Sequence, residues 1–129
     1  MVAELQTELL NGHLLDSDND CLQKNGGFMP DTPKFYQKMQ QDYQEVMQAV
    51  GQLGKDTREA GPLAEKQTQL IQLAAAAALK SEGSVHSHAR RALEAGASPE
   101  EIRHALILLI SAMGYPNVAA ALSWVEDVL

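Results

Sequence analysis

The stretch Lys80-Ser81-Glu82-Gly83-Ser84-Val85-His86-Ser87-His88-Ala89-Arg90-Arg91-Ala92, continuing through Gly96 to Ser98-Pro99-Glu100-Glu101, decides the fold. It contains the end of one helix, a whole second helix and the start of a third. Ser81-Glu82-Gly83-Ser84 breaks the preceding helix and opens the next, which is expected to run to about Ala95. Gly96 is placed to end it in the left-handed conformation, which glycine adopts without a Cβ clash. Ser98 then reads as an N-cap, Pro99 as the first helical residue and Glu101 as the partner completing a capping box.

Helical spacing continues on both sides. Upstream, Leu63, Leu70, Leu73, Ala74 and Ala77 mark the apolar side of a helix over about Leu63–Leu79, after the break at Gly61-Pro62. Its Ala74–Ala78 run has high helix propensity and little bulk, so neighbouring helices can approach closely. Earlier, Phe35, Met39, Tyr43, Val46, Met47, Val50 and Leu53 follow the spacing of one buried face, with Gly54 as the expected stop. Downstream, Ile102, Leu106, Leu109 and Ile110 lie on a helix that Gly114-Tyr115-Pro116-Asn117 ends. Val118, Ala121, Leu122, Val125 and Val128 lie on the last one. The two-residue alternation of a strand is nowhere sustained. The fold class is therefore all-α. Residues 34–129 form the helical domain and residues 1–33 an N-terminal arm, with a short helix over Val2–Leu10 and turns at Asn25-Gly26-Gly27, Pro30 and Pro33. The arm is expected to pack on a partner or to move.

Composition narrows the function. The 129 residues are 45% hydrophobic with 5% aromatics, so a core is available and must be built from aliphatic and Ala side chains. Ten basic against 17 acidic residues give a net charge of −7. This disfavours a polyanion partner, and no nucleic acid is expected. No apolar run reaches the roughly 20 residues that cross a bilayer. The first residues carry Glu4, Glu8, Asp16, Asp18 and Asp20 without Lys or Arg, unlike a secretory leader. Cys21 is the only cysteine, so neither an internal disulfide nor a cysteine zinc site is possible. A reduced, cytoplasmic protein is expected.

Chemistry concentrates around the quoted stretch. Ser84 and His88 are four residues apart and share a helical face. Ser81 and Ser84 sit at a helix start, where unpaired N–H groups favour anions; capping is the plainer role for both. Lys80, Arg90 and Arg91 add positive charge. His88 titrates near neutrality and is the candidate acid or base. His86 lies about 200° from it around a helix, so the two make no natural metal pair, and His86 is expected to be solvated. No metal site is expected from His13, His86, His88 and His104. Tyr115 is a candidate pocket residue, with turn packing as the alternative. Trp124 is a candidate subunit contact.

Residues from about Leu63 to Leu122 resemble the carboxymuconolactone decarboxylase and alkylhydroperoxidase D-like family. The likeness rests on the helix start at Lys66–Leu70, the Ser81-x-x-Ser84-x-x-x-His88 spacing, the segment HARRALEAGASPEEIRHAL at 88–106 and the Gly114-Tyr115-Pro116 turn. It implies a compact helical subunit that assembles as trimers or hexamers, with a site near the start of the helix carrying His88. In the peroxidase branch, two cysteines occupy the positions of Ser81 and Ser84, a relay glutamate falls at Gln69 and a histidine at His88. Only the histidine is retained. A serine supplies neither a thiolate nor a disulfide, so a dithiol peroxidase mechanism is not expected, although the family label includes peroxiredoxin activity.

The resemblance thus implies His88, Ser84 and Gln69 as the catalytic group. Ser81, Arg91, Lys80 and Tyr115 are the substrate-binding candidates, and Arg90 and Arg103 are further cations that could hold a carboxylate. No cofactor is expected. The leading reading is proton transfer or decarboxylation on a small carboxylate or lactone. The others are a peroxidase, and a non-catalytic protein that binds a small anion or a partner protein.

Overall fold

Helix propensity and capping produce seven helices and no strand among the described residues, 33–129, of a computed structural model. In chain order they are α1 (Lys34–Asp42), α2 (Gln44–Glu59), α3 (Glu65–Ala78), α4 (Glu82–Glu94), α5 (Pro99–Ile107), α6 (Ile110–Met113) and α7 (Tyr115–Glu126). The protein is all-α, as the sequence predicts. The expected helix over Val2–Leu10, the turns before Pro33, His13 and Cys21 lie outside the described residues.

The chain divides into two compact units, one ending at Gln48 and the other spanning Ala49–Leu129. In the first, the expected buried face is not buried. Phe35 is 72% exposed, and Tyr43 and Val46 are exposed as well. Tyr43, with φ −133° and ψ 49°, leaves the helical region and separates α1 from α2. Periodicity shows that a face is apolar but does not say what covers it.

In the second unit, Val50 and Leu53 continue as exposed residues of α2. The expected stop at Gly54 does not occur, and α2 runs on to Glu59. Gly54 has no positive φ. An interior glycine costs a helix about 1 kcal/mol but does not by itself end it. Hydrogen bonds from Gln52 to Asp56 (2.7 Å) and from Thr57 Oγ1 to the Gly54 carbonyl (3.1 Å) cover this turn.

The core of this unit is thin-walled. Leu73, Ala76 and Ala77 of α3 pack with Val85, Ala89 and Ala92 of α4, Ile102 and Leu106 of α5, and Ala121 and Val125 of α7. The small side chains let α3 and α4 lie against one another, as the Ala run predicts. Trp124 is half-buried and packs against this core. The helix expected to run through to Gly114 is instead two, α5 and α6. Between them, Leu109 N–H bonds back three residues to the Leu106 carbonyl (3.0 Å), a tighter turn than α. Ile110, expected in the core, is 38% exposed.

Two helix ends decide where the site lies. After α4, Gly96 takes φ 92°. Ala97 N–H then bonds to the Ala92 carbonyl and Gly96 N–H to that of Leu93. After α3 the same pair of bonds forms, from Ser81 N–H to Ala76 and from Lys80 N–H to Ala77, each 3.0 Å. Here the left-handed residue is Lys80, at φ 56°, where a side chain is conformationally costly. This turn delivers Ser81 to the start of α4.

The expected capping box at α5 is present. Glu101 N–H bonds to Ser98 Oγ (3.1 Å), and the Glu101 carboxylate accepts from Ser98 N–H (2.9 Å). Lys66 Nζ of α3 also reaches that carboxylate at 3.0 Å. The Ser98 N–H bond, then the Lys66 bond, hold the Glu101 carboxyl below its ordinary range. Replacing Ser98 by Ala is expected to lower unfolding free energy by about 1 kcal/mol, read from the midpoint of a urea transition.

Candidate functional site

Gln69 is the one buried polar residue among the core residues described, and it is fully buried. It lies one turn beyond Glu65 on α3, so the two side chains meet. Gln69 Nε2 donates to Glu65 Oε1 at 2.6 Å. A carboxylate only accepts, so the Gln69 amide must turn its nitrogen to Glu65 and its oxygen the other way. That oxygen, Oε1, lies 2.9 Å from His88 Nδ1 on α4. An amide oxygen cannot donate, so Nδ1 carries the proton in the neutral ring. The lone pair is left on Nε2. Arg58, at the end of α2, places Nε 3.7 Å from Glu65 Oε1 and completes the outer end of the chain.

His88 lines an open cleft of about 270 Å³ with Gln72, Ala75, Ala76, Leu79, Ser81 and Ser84. That volume is at the small end for ligand sites. Ala75, Ala76 and Leu79 make one wall apolar. Ser81 and Ser84 face each other across one helical turn, with Ser81 Oγ donating to Ser84 Oγ at 2.8 Å. Ser81 occupies the N-cap position of α4, but its side chain makes no cap hydrogen bond; the hydroxyl is committed to Ser84. The capping role expected for it is thus not played. Gln72 carries a buried side-chain oxygen, Oε1, without a hydrogen-bond partner.

Burial pushes the His88 pKa below its ordinary 6.5, and the guanidiniums of Arg91 and then Arg58 push in the same direction. All three causes disfavour the imidazolium. The ring is therefore neutral at neutral pH, with Nε2 able to take a proton. Folding binds this proton less tightly than the unfolded chain does. His88's contribution to stability is thus fully present above pH 6.5 and is lost as pH falls below it.

The structure gathers His88, Ser84, Ser81 and Gln69. It does not bring the other candidates into the cleft. Lys80, Arg91 and Tyr115 are exposed and do not line it. Tyr115 opens α7 instead. Arg103 is held by Glu126 in a two-point fork, Nε–Oε1 2.7 Å and Nη2–Oε2 3.0 Å. Sequence reading missed Glu65, Gln72 and Arg58. Glu65, Gln69, Gln72 and Ala76 share one α3 face, so a polar interruption beside the Leu73–Ala77 stripe was a usable signal. Arg58 reaches Glu65 across the Gly61-Pro62 break, which no helical period could show.

An all-α unit agrees with the family comparison. The model of the carboxymuconolactone decarboxylase family matches residues 44–127, and the chain belongs to that family. No curated protein and no solved structure matches the chain. No helix among the described residues is long and apolar enough to cross a membrane.

The hydrogen-bond chain sets an expectation for NMR titration. The His88 ring should titrate below 6.5. Arg91→Gln should raise its midpoint by less than the full displacement, because burial is the larger cause. Gln69→Glu should raise it above the wild-type value, since a carboxylate beside Nδ1 favours the imidazolium.

Proposed function

We propose that the chain is a cofactor-free proton-transfer enzyme acting on a small carboxylate or lactone, with His88 as its base. The observation that carries this reading is the Glu65–Gln69–His88 chain ending at the cleft. It fixes the tautomer and leaves one basic nitrogen. It also supports the imidazolium that forms when Nε2 takes a proton, because the Gln69 oxygen accepts from Nδ1 and Glu65 polarises the amide.

In a decarboxylation, Nε2 would draw the acidic proton of the substrate's carboxyl group. The bond from carbon to the departing carboxylate then breaks and carbon dioxide leaves. The electron pair passes into the conjugated carbonyl, and the imidazolium returns its proton to carbon. Ser84 accepts from Ser81, which leaves its own O–H to donate to the carbonyl oxygen as charge develops there. Arg91 and Arg58 do not line the cleft, and their charge acts on His88 from outside it. The dithiol chemistry of the resembling peroxidases needs thiols that Ser81 and Ser84 do not supply.

On this reading, His88→Ala lowers kcat on an accepted lactone or carboxylate by about 100-fold or more. Gln69→Leu lowers kcat with little change in KM, because it disturbs the base rather than the binding wall. Turnover unchanged by His88→Ala would overturn the proposal. So would hydroperoxide consumption with a dithiol reductant.

The same reading includes a homo-oligomer. Val50, Leu53, Ile71, Leu79 and Leu108 are exposed, and a second copy would shield them. Light scattering at micromolar concentration should give a mass above the 14.0 kDa of one chain. A monodisperse monomer would refute this part.

A further inference from the structure

His86 does not behave as the solvated side chain its position suggests. It is half-buried, and its Nε2 atom is shielded from water yet has no hydrogen-bond partner. Asp127 Oδ2 lies 3.5 Å away but does not accept a hydrogen bond from it. A shielded ring nitrogen without a partner is destabilising, so something ought to satisfy it. Glu82, one turn before His86 on α4, points its carboxylate to the same place. Ligand atoms of Glu82, His86 and Asp127 all lie within 4.8 Å of one another.

We propose that Glu82, His86 and Asp127 form a binding site for a divalent transition-metal cation, of which Zn²⁺ is the type. The ligand set is one imidazole and two carboxylates. Imidazole suits Zn²⁺, Co²⁺ and Ni²⁺, whereas Mg²⁺ and Ca²⁺ favour sites made only of oxygen. Tetrahedral zinc with bonds of about 2.0–2.1 Å needs ligand atoms about 3.3 Å apart. Glu82 and Asp127 are exposed, so their carboxylates can rotate inward to that spacing while the ring stays in place. Three protein ligands leave a position for water or another ligand. The backbone acts from both sides: the α4 N-terminus beside Glu82 carries partial positive charge, and the α7 C-terminus offsets it. Asp127 caps the C-terminus of α7, where the last carbonyls carry partial negative charge. The site joins the start of α4 to the end of α7 and is distinct from the Gln69–His88 chain, so it stands or falls apart from the catalytic reading.

The test uses the untagged full chain and Zn²⁺ alone, by isothermal titration after chelator removal, with thermal melts alongside. One equivalent per chain is expected, and zinc should raise the melting temperature. His86→Ala and Asp127→Asn should each weaken binding by about tenfold or more. His104→Ala, on the exposed side of α5, should leave it unchanged. Asp127→Asn alters an exposed side chain, so it decides the matter even if His86→Ala folds poorly. No saturable binding would overturn the proposal. Undiminished affinity in Asp127→Asn would do the same, as would loss of binding in His88→Ala or His104→Ala with Glu82, His86 and Asp127 intact.

Discussion

The site depends on one buried amide. Gln69 is fully buried, where an unpaired polar group would be costly. Both ends of its amide are satisfied, the nitrogen by Glu65 and the oxygen by His88. The same pairing that makes the residue tolerable in the core also orients the histidine. Were the amide turned the other way, its nitrogen would face His88 and its oxygen would face a carboxylate, which cannot donate. The carboxylate therefore sets the tautomer of a ring it does not touch.

The packing has a related effect. The alanines of α3 let α4 come close, and this closeness allows a side chain on α3 to reach Nδ1 on α4. The same short side chains leave the hollow that Ser81, Ser84 and His88 border. A bulkier residue at Ala76 would push the helices apart or fill the hollow. Helix contact, proton placement and room for a ligand are thus one property of a single run of sequence.

Much of this was legible in the sequence. The Gly96 turn and the Ser98–Glu101 box are local, and the side chains that make them are near neighbours in the chain. The His88, Ser84 and Ser81 grouping needs only helical spacing and one break. The role of Gln69 came from family likeness, and its amide orientation required the Glu65 contact. What sequence could not give is whatever depends on coverage or on distant neighbours. The apolar stripe from Phe35 to Leu53 is present as a pattern, yet Phe35, Tyr43, Val46, Val50 and Leu53 are exposed among the described residues. Lys80 and Arg91 sit beside the right residues in sequence, but their side chains leave the cleft, because the turn and the helix aim them outward. His86 was misplaced for the same reason: Asp127 is forty-one residues away and only folding brings it near.

The left-handed residue before Ser81 has a further consequence. Two main-chain bonds, to Ala76 and Ala77, hold that corner. The main-chain position of Ser81 is thus governed by backbone, its hydroxyl is then aimed by Ser84, and the exposed ammonium at 80 is ornamental to the corner's shape. Evolution can therefore change the charge at this rim, or replace it with glycine and relax the main chain, without displacing the hydroxyl that follows.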